Sequence, residues 1–320
     1  MTSEPKQSLH PDAESVIELI RQSGRPPYEQ LTPEEARDAY ARGRTILQPD
    51  RAEVARVRNL SATGPAGAIP LRLYRGMGTK ADARLPVLIY FHGGGWMFGD
   101  LDSHDGLCRE FANRAQCCVI SVDYRLAPEH KFPAAVDDSE AAVRWIAANA
   151  ETLGIDAKRM AVGGDSAGGN LAAVMCLMAR DGTLPKLGFQ LLIYPATDMG
   201  LSTPSYARVV DTMPLTAATM VWFRDYYVRE AKDIADWRAS PLRAANHKEV
   251  APAYILTVHY DPLCDEGRDY GAALERAGVA VQYQHIADQF HGFITMGKLI
   301  RACDPAIEAM AAALRKALAG

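Results

Sequence analysis

No stretch of this 320-residue chain approaches the roughly 18 consecutive apolar residues that a membrane-spanning helix requires. Residues 1–14 are polar and include Pro5 and Pro11, so they lack the basic segment and apolar core of a secretory signal. The six cysteines (Cys108, Cys117, Cys118, Cys176, Cys264 and Cys303) form no CxxC pair and no zinc-type spacing. Reduced, buried thiols in a cytoplasmic protein are the reading that fits. An excess of charge of either sign is also missing, with 35 Lys and Arg against 39 Asp and Glu, a net charge of −4. Arg37, Arg42, Arg44, Arg51, Arg56 and Arg58 are spaced among acids and apolar residues. They read as solvated faces and not as a phosphate-binding stripe. Nucleic acid and an anionic membrane surface are therefore not expected as partners. Internal repeats and low-complexity segments are absent too.

What remains is ordinary globular composition, 48% hydrophobic and 23% charged. The first fifty residues read as helical. Asp12 is the expected cap of a helix through Val16, Ile17, Leu19 and Ile20, stopped by Gly24 and the Pro26-Pro27 pair. A second helix is expected after Thr32, with Pro33 in its first position and Glu34 and Glu35 in its first turn. Residues 54–60 and 69–74 read as an antiparallel pair. Strand and helix signals then alternate. Expected strands are 86–91, 117–122, 160–163, 189–194, 254–258 and 279–286; expected helices are 105–115, 133–149, 167–180, 266–277 and 305–318. This rhythm argues an α/β fold with a mostly parallel central sheet flanked by helices on both faces. Residues 198–241 interrupt it with an aromatic-rich helical insertion introduced by Leu215-Thr216, a candidate lid or a helix packed on the core.

Two glycine-rich motifs carry chemistry. Gly164-Asp165-Ser166-Ala167-Gly168 fits G-x-S-x-G between an expected strand and an expected helix. A serine there is lifted clear of the backbone, beside amides at a helix start that have no intrahelical partner. His92-Gly93-Gly94-Gly95-Trp96 follows the strand 86–91, and three successive glycines expose backbone N–H groups. Gly94 and Gly95 are the favoured donors to an oxyanion, together with Ala167, with Gly93 a weaker candidate. His92 is read as a brace for the loop. An activated serine needs a base, and the base needs an orienting carboxylate. Among downstream histidines, His247, His259 and His285 are set aside in favour of His291, which is expected in a loop after the last strand. Asp261 follows the strand before it. Asp288 is set aside as a member of the His291 loop, and Asp265 and Glu266 as structural acids at a helix start.

HGGGW (92–96), YRLAPEHKFPAAVDD (124–138), GGDSAGGN (163–170), DPLCDEG (261–267) and HGF (291–293) together resemble the bacterial esterases of the hormone-sensitive lipase family. The resemblance is to the subgroup with Asp before the nucleophile and runs over nearly the whole chain. It implies an α/β-hydrolase fold with a helical cap built from residues 1–50 and 198–240 on a catalytic domain of residues 51–197 and 241–320. It also implies a catalytic triad of Ser166, Asp261 and His291, an oxyanion hole of Gly94, Gly95 and Ala167, and no metal or organic cofactor. Arg125 and Glu129 read as structural anchors.

The expected reaction is acyl transfer through an acyl-enzyme, with short- to medium-chain esters as substrates. An amidase, lactonase or deacetylase with the same triad stays open, as does a non-catalytic ligand-binding protein on this fold. Helical spacing puts Met220, Phe223, Arg224 and Tyr227 on one face, which with Leu215 and Trp96 is expected to wall the substrate pocket. The last strand, 279–286, is expected at a sheet edge where a homodimer could pair.

Overall fold

The apolar run ending at Phe91 becomes a strand whose two faces enter different cores, Val87, Ile89 and Phe91 on one side and Leu88 and Tyr90 on the other. That is the period-two outcome for a strand covered on both faces. The computed structural model describes residues 8–209 and 213–319. Helices α1 (Pro11–Gln22) and α2 (Pro33–Leu47) come first, followed by β1 (Arg56–Gly64), β2 (Gly67–Arg75), β3 (Leu85–Phe91), α3 (Asp105–Ala115) and β4 (Cys118–Val122). Then come α4 (Ala134–Ala148), α5 (Ala150–Leu153), β5 (Ile155–Asp165), α6 (Ala167–Arg180) and β6 (Phe189–Ile193). The chain ends with α7 (Pro204–Arg208), α8 (Ala217–Tyr227), β7 (Ala253–Tyr260), α9 (Cys264–Arg276), β8 (Val281–Phe290) and α10 (Cys303–Ala317).

Eight strands among the described residues form one sheet in the order β1-β2-β4-β3-β5-β6-β7-β8. β2 is antiparallel to both neighbours, and every later pairing is parallel. α4, α6 and α9 cover one face; α1, α3 and α10 cover the other. The parallel strands all end at one rim, where the chain leaves β3 for the triple glycine, β5 for Ser166, β7 for Asp261 and β8 for His291. The expected mixed sheet with helices on both faces is the one observed.

Local details differ from expectation. The cap of α1 is His10, whose ring accepts from the Asp12 amide, with Pro11 in the first turn. Asp12 lies inside the helix and accepts from the Arg301 amide at 2.9 Å. α2 starts as expected, its capping box formed by Thr32 and Glu35. β5 begins earlier than expected, at Ile155, and β8 runs on to Phe290. Asp288 is therefore a strand residue and not a loop residue. Pairing of β7 with β8 slips between Val258 and Tyr260 and then resumes at Tyr260–Phe290. The slip extends the ladder to the residues that directly precede Asp261 and His291.

The insertion at 198–240 carries no strand among the described residues; residues 1–7 and 210–212 of the two expected cap segments lie outside them. Thr216 caps α8 by accepting from the Thr219 amide, and the Thr219 hydroxyl donates to Glu29 at 2.8 Å. That bond joins the insertion to the N-terminal helical segment. Glu266, fully buried, accepts from the amides of Thr197 and Asp198 and from the Tyr206 hydroxyl. Burial pushes its carboxyl up to about 8 against those three donors. Arg125 forks onto Asp138 and Arg37 onto Glu129, so both expected anchors are ion-paired. All six cysteines are buried and unpaired. No described helix is long and apolar enough to cross a membrane. No metal-holding group of His, Cys, Asp and Glu occurs among the described residues.

Candidate active site

β5 ends at Asp165, and the next residue opens α6 with φ 55° and ψ −117°. An L-residue in that region is strained, by about 1–3 kcal/mol in general. The strain at Ser166 is locked in by neighbours: its amide donates to Ile193, and its carbonyl accepts from Asn170 and Ala196. The turn passes tightly over the end of β3. A Cβ on Gly164 or Gly168 would collide with the carbonyl of Phe91, which is why both flanks of the motif are glycine.

The imidazole of His291 lies between the two other residues singled out with it. Its Nε2 is 2.9 Å from Ser166 Oγ, and its Nδ1 is 2.8 Å from Asp261 Oδ2. With the proton on Nδ1, the ring donates to Asp261 and accepts from the serine hydroxyl. Asp261 is fully buried, and its second oxygen accepts from the Leu263 amide at 2.8 Å. The Tyr194 ring packs against the imidazole at 4.5 Å.

Gly94 and Gly95 line the same cavity as Ser166, in backbone conformations with φ 121° and 60°. The Gly94 carbonyl turns away to accept from Met97 and Phe98. The amides of Gly94, Gly95 and Ala167 have no acceptor among the described residues. Gly93 is different, because its amide donates to Asp165 at 2.9 Å. Asp165 also accepts from Tyr90 at 2.8 Å and from His104 at 3.1 Å. Burial alone would raise its carboxyl; the His104 charge and the bonds from His104 and Tyr90 outweigh it and hold Asp165 well below the usual carboxylate range. This carboxylate ties the serine turn to the glycine loop. His92 braces the loop, with Nδ1 on the Gly93 carbonyl at 2.9 Å and its ring stacked on Tyr124. Burial, and after it His104, pushes the His92 imidazole down to about 4, so the ring is neutral near pH 7.

A family described as alpha/beta hydrolase fold matches residues 88–295, the span that holds both glycine motifs and all three linked side chains. The chain belongs to that family. This hydrolase is 43% identical over 275 residues to the esterase LipI of Mycobacterium tuberculosis, covering 85% of each chain. It is 39% identical to an ethyl acetate hydrolase of Pseudomonas putida, covering 97% of this chain and 100% of the relative. Among solved structures, an ester-hydrolase from the metagenome of Lake Arreo, complexed with a derivative of bipyridine phosphonate, superimposes with a TM-score of 0.93 at 42% identity. That match covers 98% of this chain and 100% of the other. The esterase names agree with the resemblance to the hormone-sensitive lipase family.

The pocket of this hydrolase departs from expectation. The cavity at Ser166 has a volume of about 140 Å³. Of the six residues expected to wall it, Leu215 and Phe223 do so, and Trp96, Met220, Arg224 and Tyr227 do not. Trp96 stacks on Tyr227 at 4.4 Å, and Tyr227 meets Phe132 edge-on, so both face the core. Met220 is buried, and Arg224 turns to its neighbour Asp225. The missing walls come from elements that sequence reasoning placed only as segments. They are Ile20 of α1, Tyr40, Arg44 and Leu47 of α2, Tyr28 between them, and Met296 after His291. Arg44, expected on a solvated face, is one of them.

Proposed function

We propose that this hydrolase is a carboxylesterase that cleaves short- to medium-chain acyl esters through an acyl-enzyme on Ser166. The observation that carries the reading is the unbroken link Ser166–His291–Asp261, at 2.9 and 2.8 Å. His291 takes the Ser166 proton as the oxygen attacks the ester carbonyl. The amides of Gly94, Gly95 and Ala167 receive the developing oxyanion, each worth on the order of 10²–10³ in rate. His291 then protonates the leaving alcohol, and water activated by the same imidazole releases the acid. Asp261 stays ionised, fixing the tautomer and stabilising the imidazolium. No step draws on a metal or an organic cofactor.

The helical segments 1–50 and 198–240 act as a cap on the catalytic domain of residues 51–197 and 241–320. The Glu29–Thr219 bond and their shared lining of the Ser166 cavity support this. A cavity of about 140 Å³ walled by Ile20, Leu47, Leu215, Phe223 and Met296 favours short acyl chains. A fluorophosphonate probe is expected to label Ser166, identified by peptide mass, and p-nitrophenyl butanoate or hexanoate to be cleaved far faster than the palmitate. Faster turnover of matched amides or lactones rejects the ester assignment, and a palmitate optimum rejects the preference for short to medium acyl chains.

Six unpaired, buried cysteines support a cytoplasmic location. The outer side of β8 supports a homodimer joined along 279–286, because among the described residues the one backbone hydrogen bond to this side runs from the His10 amide to the Asp288 carbonyl. Sedimentation at micromolar concentration is expected to give a dimer boundary that a proline at Gln284 abolishes. A monomer in the wild type removes the idea.

A further inference from the structure

The Ser166 cavity has one feature that a pocket for a neutral acyl chain does not need. Arg44 lines it, and the Nη1 of that guanidinium is buried with no hydrogen-bond partner among the described residues. No described carboxylate lies within ion-pairing distance of Arg44, whereas several other half-buried arginines of the fold are paired. Arg37 has Glu129, Arg72 has Asp102 and Asp105, and Arg109 has Asp105. A guanidinium cannot lose its proton to relieve burial, so its charge stays in the wall. Leaving such a donor unsatisfied in a low-dielectric site is costly, and an anion brought to it recovers that loss.

The surroundings sharpen the point. Among the described residues, the single acid lining this cavity is Asp165, whose oxygens are already held by Tyr90, Gly93 and His104. Arg44 also borders an adjoining cavity lined by Asp38, Asp50, Asp100 and Asp102, none of which pairs with it. The Arg44 guanidinium lies over the Tyr40 ring at 4.6 Å. The Tyr40 hydroxyl is likewise buried and without a partner among the described residues. Burial pushes that hydroxyl up to about 12, with the Arg44 charge opposing, so it remains an O–H donor near pH 7. A second guanidinium, Arg25, stands at the same cavity over the Tyr28 ring at 4.1 Å. Around these groups the wall is apolar. Two cations and a spare phenol donor therefore face a pocket whose one carboxylate among the described residues, Asp165, acts on Arg44 through its charge but is hydrogen-bonded to other donors.

We propose that Arg44, assisted by Tyr40, is a specificity-determining residue that selects esters carrying a carboxylate on the acyl or the alcohol side, the ester carbonyl lying at Ser166. This rests on the esterase reading above. The bond cleaved is the ordinary ester bond, with water consumed, and the carboxylate takes no part beyond binding. A charge-assisted contact of this kind is worth about 10–100-fold in kcat/KM.

The test compares matched pairs on the wild type, Arg44→Met and Arg44→Lys. Monoethyl glutarate is set against ethyl pentanoate for the acyl side, and O-acetylglycolate against ethyl acetate for the alcohol side. The readout is the charged-to-neutral ratio of kcat/KM within each variant, so a general loss of activity or stability cancels. In the wild type, the ratio is expected to favour the charged ester of one pair. It should fall about 10–100-fold in Arg44→Met, mostly through KM, and by less in Arg44→Lys, which keeps the charge without the planar fork. Raising the salt concentration should lower the wild-type ratio and leave the Arg44→Met ratio flat. Equal ratios in wild type and Arg44→Met for both pairs overturn the proposal while leaving the esterase reading intact. If the wild type cleaves neither member of either pair, the esterase reading itself fails.

Discussion

Ser166→Ala is expected to lower kcat on ester substrates by on the order of 10⁶-fold, the loss seen when a serine nucleophile is removed from a linked triad. Alanine deletes the hydroxyl but keeps the flanking glycines, the Asp165 anchor and the free amides of the glycine loop. Substrate still binds, and KM is expected to change by only a few-fold. The residual rate belongs to water attack helped by the oxyanion donors. Side-chain burial at 166 is nearly complete in the wild type, and the substitution removes a single oxygen, so the melting temperature should move little. Steady-state assays with circular dichroism on the same preparation check this. A variant that keeps roughly a tenth of wild-type turnover would mean that a different group attacks the carbonyl.

Asp261→Asn should lower kcat/KM by about 10⁴-fold, and the structure gives the reason. One oxygen of Asp261 accepts from the Leu263 amide, and the other faces His291 Nδ1. An asparagine must present its carbonyl to Leu263, because an amide N–H cannot oppose an amide N–H. Its NH₂ group then points at Nδ1 and forces that nitrogen to accept. The ring proton moves to Nε2, the atom that has to take the proton of Ser166, and the base is disabled with its geometry intact. A loss of less than tenfold would mean that another carboxylate, or none, orients His291. Glu266 and Asp265 are the nearest acids in sequence, and both are committed elsewhere: Glu266 to Thr197, Asp198 and Tyr206, and Asp265 to Arg208 and Arg268.

The reach of the sequence differs between the two halves of the site. The groups at the strand ends were legible because each is announced by a short, steric pattern. Glycines at 164 and 168 are dictated by the Phe91 carbonyl beneath them, and the run from Gly93 to Gly95 by close packing against Asp165, Phe98 and Phe223. His291 and Asp261 followed from the order of strands, from setting aside the other downstream histidines and acids, and from the resemblance of their motifs. The pocket was not legible in the same way. Helical spacing correctly grouped Met220, Phe223, Arg224 and Tyr227, but which part of that face meets the cavity depends on the tilt of α8. Its last turn rolls onto Trp96 and Phe132, while Phe223 one turn earlier reaches Gly95. Arg44 was misread for a related reason. A basic residue among polar neighbours on an amphipathic helix looks solvated, and its burial arises from long-range docking of α2 over Phe98 and the serine turn. The expected end of β8 missed its last four residues, because the slip near His259 that prolongs pairing has no composition signal.

The backbone twist at the reactive residue has a further consequence for anyone evolving this chain. Glycine accepts that conformation freely, whereas serine is held there against its own preference by the surrounding bonds. A selection for heat resistance that ignores turnover will therefore drift toward Gly at 166 and yield sturdier, inert proteins. Campaigns to toughen this hydrolase need an activity gate in every round, since endurance and reactivity pull that single position in opposite directions.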